Sequence, residues 1–168
     1  MSLFANLNLE VMDRIPIVIR HVLLADSIVS SWAENRIHRS NELAPIEEEP
    51  APQIIIKILD EEEAFATGGH NEMSLPVGIL FFFEDYHRVL EDEEPTIASL
   101  IQQVKRVLIE NYHLNAPPYN ERITKRINRF ETIDYGGEVL DGNRFHRFMI
   151  LRVDYRTKLD VRTREVTC

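Results

Sequence analysis

The run from Leu75 to Tyr86 limits the possible folds most, because it is apolar on both sides of an extended chain. Successive side chains of a strand point to opposite faces. Val77, Ile79 and Phe81, followed by Phe83, therefore share one face, while Leu80 and Phe82 share the other. Strands that are apolar on both faces are normally central or covered twice. The sequence thus predicts a sheet with this strand in its interior.

Two stretches have the apolar period of amphipathic helices. The first follows Pro16, a residue suited to a first helical turn, and continues to Trp32. The second follows Thr96, which stands at the N-cap position. The expected apolar stripes are Val18, Val22, Ala25, Val29 and Trp32 in the first helix, and Ile97, Leu100, Ile101, Val104, Leu108 and Tyr112 in the second.

Further strands are predicted at residues 53–59, 122–135 and 144–158, where β-branched and aromatic residues are frequent. The order helix, strand, strand, helix, strand, strand predicts a single α+β domain over residues 1–168. We expect a mostly antiparallel four-stranded sheet with helices packed on one face. The remaining segments are a Pro/Glu-rich arm at 41–52, a long acidic loop at 60–73 and a polar C-terminal tail at 157–168. The composition of the arm favours an extended, solvated chain over a helix. In the last strand Arg152, Asp154 and Arg156 predict a solvated face.

Charge is unevenly distributed along the chain. The net charge is −9, which opposes general attraction to nucleic acid or anionic lipid. Residues 42–94 carry 15 acidic and 2 basic side chains, whereas residues 95–168 carry 9 acidic and 13 basic. Two interpretations remain open: both regions are simply solvated, or the acidic side of one copy docks on the basic side of the next.

The sequence contains no recognisable metal or cofactor motif. Its six histidines lack the close paired spacings of common zinc sites. His70-Asn71-Glu72 matches half of a deaminase signature, but the single cysteine, Cys168, excludes the other half. Phosphate-binding glycine loops and a nucleophile elbow are also missing from the sequence. No apolar run approaches the ~20 residues needed to cross a bilayer, and no secretory signal pattern is present. We therefore expect a soluble protein of a reducing compartment, with no cofactor and no membrane partner.

The strongest candidate for a catalytic site is the group Glu84, Asp85 and His87, which follows the most apolar strand. The alternative interpretation is that these three residues only form the solvent-exposed end of the strand. No lysine lies two positions after an acid, as the common nuclease pattern requires. A second candidate site is basic: Arg126, Arg129, Arg147, Arg152 and Arg156 lie on the last two predicted strands and could bind phosphates or acids of a partner protein. The net charge favours the acidic partner.

The order of elements resembles the tail-terminator and tail-completion proteins of long-tailed bacteriophages. Two short segments carry the likeness, Pro52-Gln53-Ile54-Ile55-Ile56 after the first helix and Arg147-Phe148-Met149-Ile150-Leu151-Arg152-Val153-Asp154-Tyr155 near the end. It covers roughly residues 10–158. The resemblance implies a structural subunit, not an enzyme. Such subunits close into a ring, usually a hexamer, at the head-proximal end of the tail, stop tail-tube polymerisation and face the head connector.

The resemblance gives the charged segments a possible use. Glu61, Glu62, Glu63 and Glu72 would form an acidic loop in the lumen, which repels DNA and lets it pass without specific binding. The five arginines would form the interface with a neighbouring copy. The expected partners are further copies of this chain, the tail-tube protein and a head connector or neck protein. The expected location is the virion tail, after synthesis in the host cytoplasm. The alternatives are another non-enzymatic head–tail connector or adaptor, and a small acid–base enzyme using Glu84, Asp85 and His87.

Overall fold

The computed structural model describes residues 3–59, 62–67, 70–84, 97–119, 124, 126–141 and 144–158. Its helices are α1 (Leu3–Ala25), α2 (Ser27–Trp32) and α3 (Ile97–Glu110). Its strands are β1 (Ile37–Arg39), β2 (Gln53–Ile58), β3 (Glu62–Thr67), β4 (His70–Glu84), β5 (Arg126–Asp141) and β6 (Arg144–Lys158). No helix in these ranges is both long and apolar enough to cross a membrane.

The strands form one mixed sheet in the order β1-β2-β4-β6-β5, and β3 also pairs with β4. β1 and β2 are parallel, whereas every other pair is antiparallel. β4 pairs with β6 along its whole length, from His70 opposite Lys158 to Glu84 opposite Arg144. On its other side β4 contacts first β3 and then β2. The predicted central position of the most apolar run is confirmed.

The main core lies between the helices and one face of the sheet. Phe81 on this face meets the Trp32 ring edge-on, with 6.5 Å between ring centroids. The face is built from alternate residues of the two central strands: Leu75, Val77, Ile79, Phe81 and Phe83 of β4, and Met149, Leu151, Val153 and Tyr155 of β6. The four β6 residues occupy alternate positions, so one face of this strand packs on the core.

The opposite face of the sheet is also partly covered, so the expected solvated face of the last strand is wrong for Asp154; Arg152 is half-buried, and the side chain of Arg156 is outside what the structure describes. Leu80, Phe82 and Phe148 are buried there, and Asp154 is only 9% exposed. A β-carbon added at Gly78 would lie 2.9 Å from Phe148 Cε2 and 3.5 Å from Leu43 Cδ2. Leu43 belongs to the arm, so the arm packs on the face that the helices leave open.

The first helix begins earlier and ends earlier than its pattern predicts. Pro16 lies inside α1, not in its first turn. A proline removes one helical hydrogen bond, but burial of Ile15, Val18 and Ile19 favours the helix there, as tertiary packing often overrides local propensity. α1 ends at Ala25. Asp26 then caps α2, with its Oδ2 accepting a 3.0 Å hydrogen bond from the Val29 amide.

The second predicted helix is confirmed as α3, and five of its six predicted stripe residues are buried. Tyr112 lies beyond the end of the helix and is 48% exposed. Thr124, 1% exposed, joins the segment after α3 to the strand that follows: its hydroxyl donates to the Tyr112 carbonyl at 2.8 Å. Thr96, the predicted N-cap, lies outside the described residues.

Three expectations about the strands need correction. The sheet has six strands in the described residues instead of four, since β1 and β3 were not predicted. β1 has three residues, too few to show alternation. Residues 60–73 are not a long loop: Glu62–Thr67 form β3 and pair with the start of β4. Backbone pairing therefore outweighs the strand-breaking composition of this segment. β5 likewise extends to Asp141, through Gly136 and Gly137 and beyond the predicted strand end at residue 135.

Candidate functional site

Gln53, the first residue of β2, holds the arm (residues 41–52) against the sheet. Its side chain is fully buried. The Oε1 atom accepts a 2.8 Å hydrogen bond from the Ile46 amide, and Nε2 donates to the carbonyls of Ile46 at 3.0 Å and Glu49 at 2.9 Å. One side-chain amide thus replaces the backbone partners that an irregular segment lacks.

Two further side chains fix the end of the arm. Arg36, which precedes β1, donates from Nε to the Pro52 carbonyl at 3.0 Å and from Nη2 to the Ala51 carbonyl at 2.9 Å. In β1, His38 Nε2 lies 2.5 Å from Glu49 Oε2. The expectation of an extended, solvated arm is therefore wrong. The arm has no regular secondary structure, but side-chain contacts of Gln53, Arg36 and His38 hold it in place.

The arm keeps its remaining acids on the surface. Glu42, Glu47 and Glu48 are exposed, whereas Glu49 is half-buried beside His38. Gln53 and Arg36 bond the backbone of the arm at Ile46, Glu49, Ala51 and Pro52, so the exposed carboxylates of Glu47 and Glu48 lie on a fixed segment of backbone. The arm contributes a negative surface and covers apolar residues at the same time.

The five predicted interface arginines do not share one face of the sheet. Arg147 alternates with Met149 and so belongs to the helix side, where it is half-buried. Arg152 lies on the other side, also half-buried, directly opposite Arg129 of β5. In register, Arg126 is opposite Asp154, and Arg156 is opposite Glu72. Strand alternation separates Arg147 from Arg152 and Arg156 of the same strand, as the odd spacing between these positions also indicates.

The predicted acidic residues belong to a β-ribbon instead of a loop. Glu62 and Glu63 lie in β3, opposite Ser74 and Met73 of β4, and Glu72 lies in β4. Glu61 is outside the described residues. β3 pairs with residues 70–74 of β4 to form this ribbon. The same β4 residues pair on their other side with residues 154–158, the C-terminal end of β6.

Two rows of paired residues run from β2 or β3 through β4 and β6 to β5, and each row ends in residues of opposite charge. One row runs from Lys57 through Gly78 and Ile150 to Glu131. The other runs from Glu62 through Ser74 and Asp154 to Arg126. Arg126 and Glu131 lie on β5, the last strand in the order, and Glu62 lies on β3. Lys57 directly follows the part of β2 that pairs with β1, and the amide of Ser40 donates to the neighbouring Ile56 carbonyl at 2.9 Å. We name these two sides the β2–β3 edge and the β5 edge. In both rows the two edges of the same molecule therefore carry complementary charges.

Only Glu84 of the candidate catalytic group lies in the described residues. Glu84 is half-buried at the end of β4, opposite Arg144, and Asp85 and His87 are outside the described residues. Among the side chains that the structure does describe, no three His, Cys, Asp or Glu residues are grouped as metal ligands.

Two open clefts adjoin the helical layer. A cleft of about 130 Å³ lies at the β2–β3 edge, where Asp13, Arg39 and Lys57 are among the lining residues. A cleft of about 410 Å³ lies between α1 and the segment after α3, and its lining includes His21, Asn111 and Asn115. The first cleft leaves Lys57 accessible at the edge of the sheet. The sequence matches no protein-family model and no curated protein.

Proposed function

We propose that this chain is a structural subunit that closes into a ring at the head-proximal end of a phage tail. There it would end tail-tube polymerisation and join the tail to the head connector. The observation that carries the proposal is the order of elements: α1, then β2 and β4, then α3, then β5 and β6, around one long antiparallel pair. This order is the one on which the resemblance to tail-terminator proteins rests.

The charges at the sheet edges support ring formation. A head-to-tail interface joins two different patches, and repeated rotation about one axis closes a ring. β3 and β5, which each pair with a single strand in the described residues, carry the oppositely charged Glu62 and Arg126 in one row, so the two sides of the sheet differ in charge. The net charge of −9 is compatible with a channel that DNA crosses without binding.

Tail-tube assembly tests the proposal directly. Purified chain is added to polymerising tail-tube protein, and the products are imaged by negative stain. We expect rings in the absence of tube protein, rings at one end of each tube in its presence, and shorter tubes as the ratio of chain to tube protein rises. The matched control is the same chain added after thermal denaturation.

Other outcomes separate the alternatives. Tubes of unchanged length, with no ring at either end, contradict the tail-terminator role. Rings that bind a head connector but leave tube growth unchanged support the alternative of another head–tail connector or adaptor. In that case the chain remains a virion assembly protein, but its place in the head–tail junction changes.

A further inference from the structure

The smaller of the two clefts, about 130 Å³, holds charged side chains from two elements. Asp13 of α1 and Arg39 of β1 both line it, and both are exposed. Among the described residues, neither of these side chains forms an ion pair. An acid and a base that share a cleft without reaching each other leave space for a group that contacts both.

The two elements that carry Asp13 and Arg39 are tied together. Arg20 of α1 donates from Nε to the Ile37 carbonyl of β1 at 2.6 Å. Arg39 is paired with Ile56, whose side chain lies in the core beneath the helices. Paired residues of neighbouring strands point to the same face of a sheet. Arg39 therefore projects on the same side of the sheet as α1.

Lys57 also lines the cleft, but its side chain starts from the other face of the sheet. It follows the core residue Ile56, so strand alternation directs it away from the helices. Its partner in β4 is Gly78, which lies on the face that Leu43 covers. Lys57 thus adds positive potential near the cleft, while Arg39 is the base on the same side as Asp13.

A backbone amide of β2 also points toward the cleft. The Ile54 amide donates outward, to the Arg36 carbonyl before β1, at 2.9 Å. The Leu59 amide donates inward, to the Pro76 carbonyl of β4, also at 2.9 Å. Because successive amides of a strand point to opposite sides, the Ile58 amide points outward, like that of Ile54.

The pairing with β1 ends before it reaches this amide. The last paired residue of β2 is Ile56, and its carbonyl accepts from the Ser40 amide at 2.9 Å. Ser40 Oγ then accepts from the Glu42 amide at 3.1 Å, which fixes the turn that carries Asn41 into the cleft lining. In the described part of the chain no backbone carbonyl accepts from the Ile58 amide.

These groups suit a small oxyanion that keeps a proton. The Arg39 guanidinium, the Ile58 amide and the Asn41 side-chain amide can donate to its oxygens. The ionised carboxylate of Asp13 only accepts, so it repels an oxyanion without a proton and bonds one that has a hydroxyl. At neutral pH inorganic phosphate keeps at least one proton, whereas sulfate and phosphodiesters keep none.

We propose that the cleft between Asp13 and Arg39 binds inorganic hydrogen phosphate. Its oxygens accept from Arg39 and the Ile58 amide, and its hydroxyl donates to Asp13. The DNA backbone is a poor ligand for the same cleft, because a phosphodiester has no hydroxyl to offer Asp13. The inference goes beyond the proposed ring and does not depend on it.

Calorimetric titration of the full chain at neutral pH and constant ionic strength tests the site. We expect one phosphate per chain, bound about tenfold more tightly than sulfate or dimethyl phosphate, because only phosphate can bond Asp13. Arg39→Gln should weaken phosphate binding about tenfold by removing the charged donor. The matched control is Arg106→Gln on α3, an exposed arginine, which should leave phosphate binding unchanged.

Asp13→Asn separates selectivity from affinity. An asparagine amide can donate to sulfate, so this variant should lose the preference for phosphate over sulfate, whereas general damage to the cleft would weaken both ions equally. Denaturant unfolding checks that each variant folds. Arg39→Lys, which keeps the charge, should bind phosphate more tightly than Arg39→Gln does.

Three results would overturn the site. Wild-type chain that binds phosphate and sulfate with equal affinity has no use for Asp13. Equal weakening by Arg39→Gln and Arg106→Gln means a general attraction of anions. A chain that takes up no phosphate in a saturable way lacks the site altogether. None of these results bears on the ring, which assembly with tail-tube protein tests separately.

Discussion

Replacing Gln53 by leucine tests whether the arm is fixed by one buried amide. Leucine is close to glutamine in size but cannot bond the Ile46 amide or the Ile46 and Glu49 carbonyls, which now lie 2.8, 3.0 and 2.9 Å from the Gln53 side chain. Each such bond contributes about 0.5–1.5 kcal/mol net, and a buried group left unsatisfied costs about 1–3 kcal/mol. We expect the free energy of unfolding to fall by about 2–4 kcal/mol.

Detachment of the arm sets an upper limit to the loss of stability in Gln53→Leu. If the arm detaches, water satisfies its backbone groups and the cost becomes the lost packing of Leu43 on the sheet. Denaturant unfolding measures the loss, and amide exchange at Ile46 reports whether the arm has detached. The matched control is Gln102→Leu on the exposed side of α3, which should change stability by less than about 0.5 kcal/mol. A Gln53→Leu variant as stable as this control would refute the account of the arm.

Three further substitutions test other parts of the fold by denaturant unfolding. Gly78→Ala should lower the free energy of unfolding by about 1–3 kcal/mol, because its β-carbon would meet Phe148 at 2.9 Å. Adding Phe148→Leu in the same chain should recover part of this loss. A Gly78→Ala variant more stable than the wild type would contradict the contact. Asp26→Ala should cost about 0.5–2 kcal/mol by removing the α2 cap, and an unchanged stability would show that the cap contributes little. Phe81→Ala should lower the free energy of unfolding by about 3–5 kcal/mol, since the Phe81 ring is fully buried on the helix side of the sheet, against Trp32. A fall of less than about 1 kcal/mol would contradict the place of Phe81 in the core.

The long periodic elements could be predicted from sequence because burial imposes their patterns. The alternation in β4 and β6 and the stripe of α3 reflect faces that pack on the same core. The mostly antiparallel α+β class followed from their order. The parallel β1 could not be inferred from alternation, because it has three residues and depends on β2 for all its strand pairing.

Local composition misled the prediction where distant contacts decide the structure. Pro16 suggested a helix start, but core burial continues α1 through it. The prolines and glutamates of the arm suggested solvated chain, but Gln53 and Arg36 hold it. The only sequence signal for Gln53 was a polar residue at the head of an apolar strand, and that signal is common at strand ends.

The candidate interface was predictable only in part. The uneven charge along the chain indicated complementary surfaces, but grouping the arginines by position placed Arg147 with the others. Strand register shows which charges reach the same row: Lys57 with Glu131, and Glu62 with Arg126. Register depends on the pairing of four strands distant in sequence, so no local pattern contains it.

Native mass spectrometry of the purified chain shows whether it self-associates into a closed ring. We expect one discrete oligomer that persists on dilution through a defined concentration range, with no ladder of larger species, because a closed ring leaves no free edge. A monomer at all concentrations, or an open-ended series of oligomers, would contradict the closed ring.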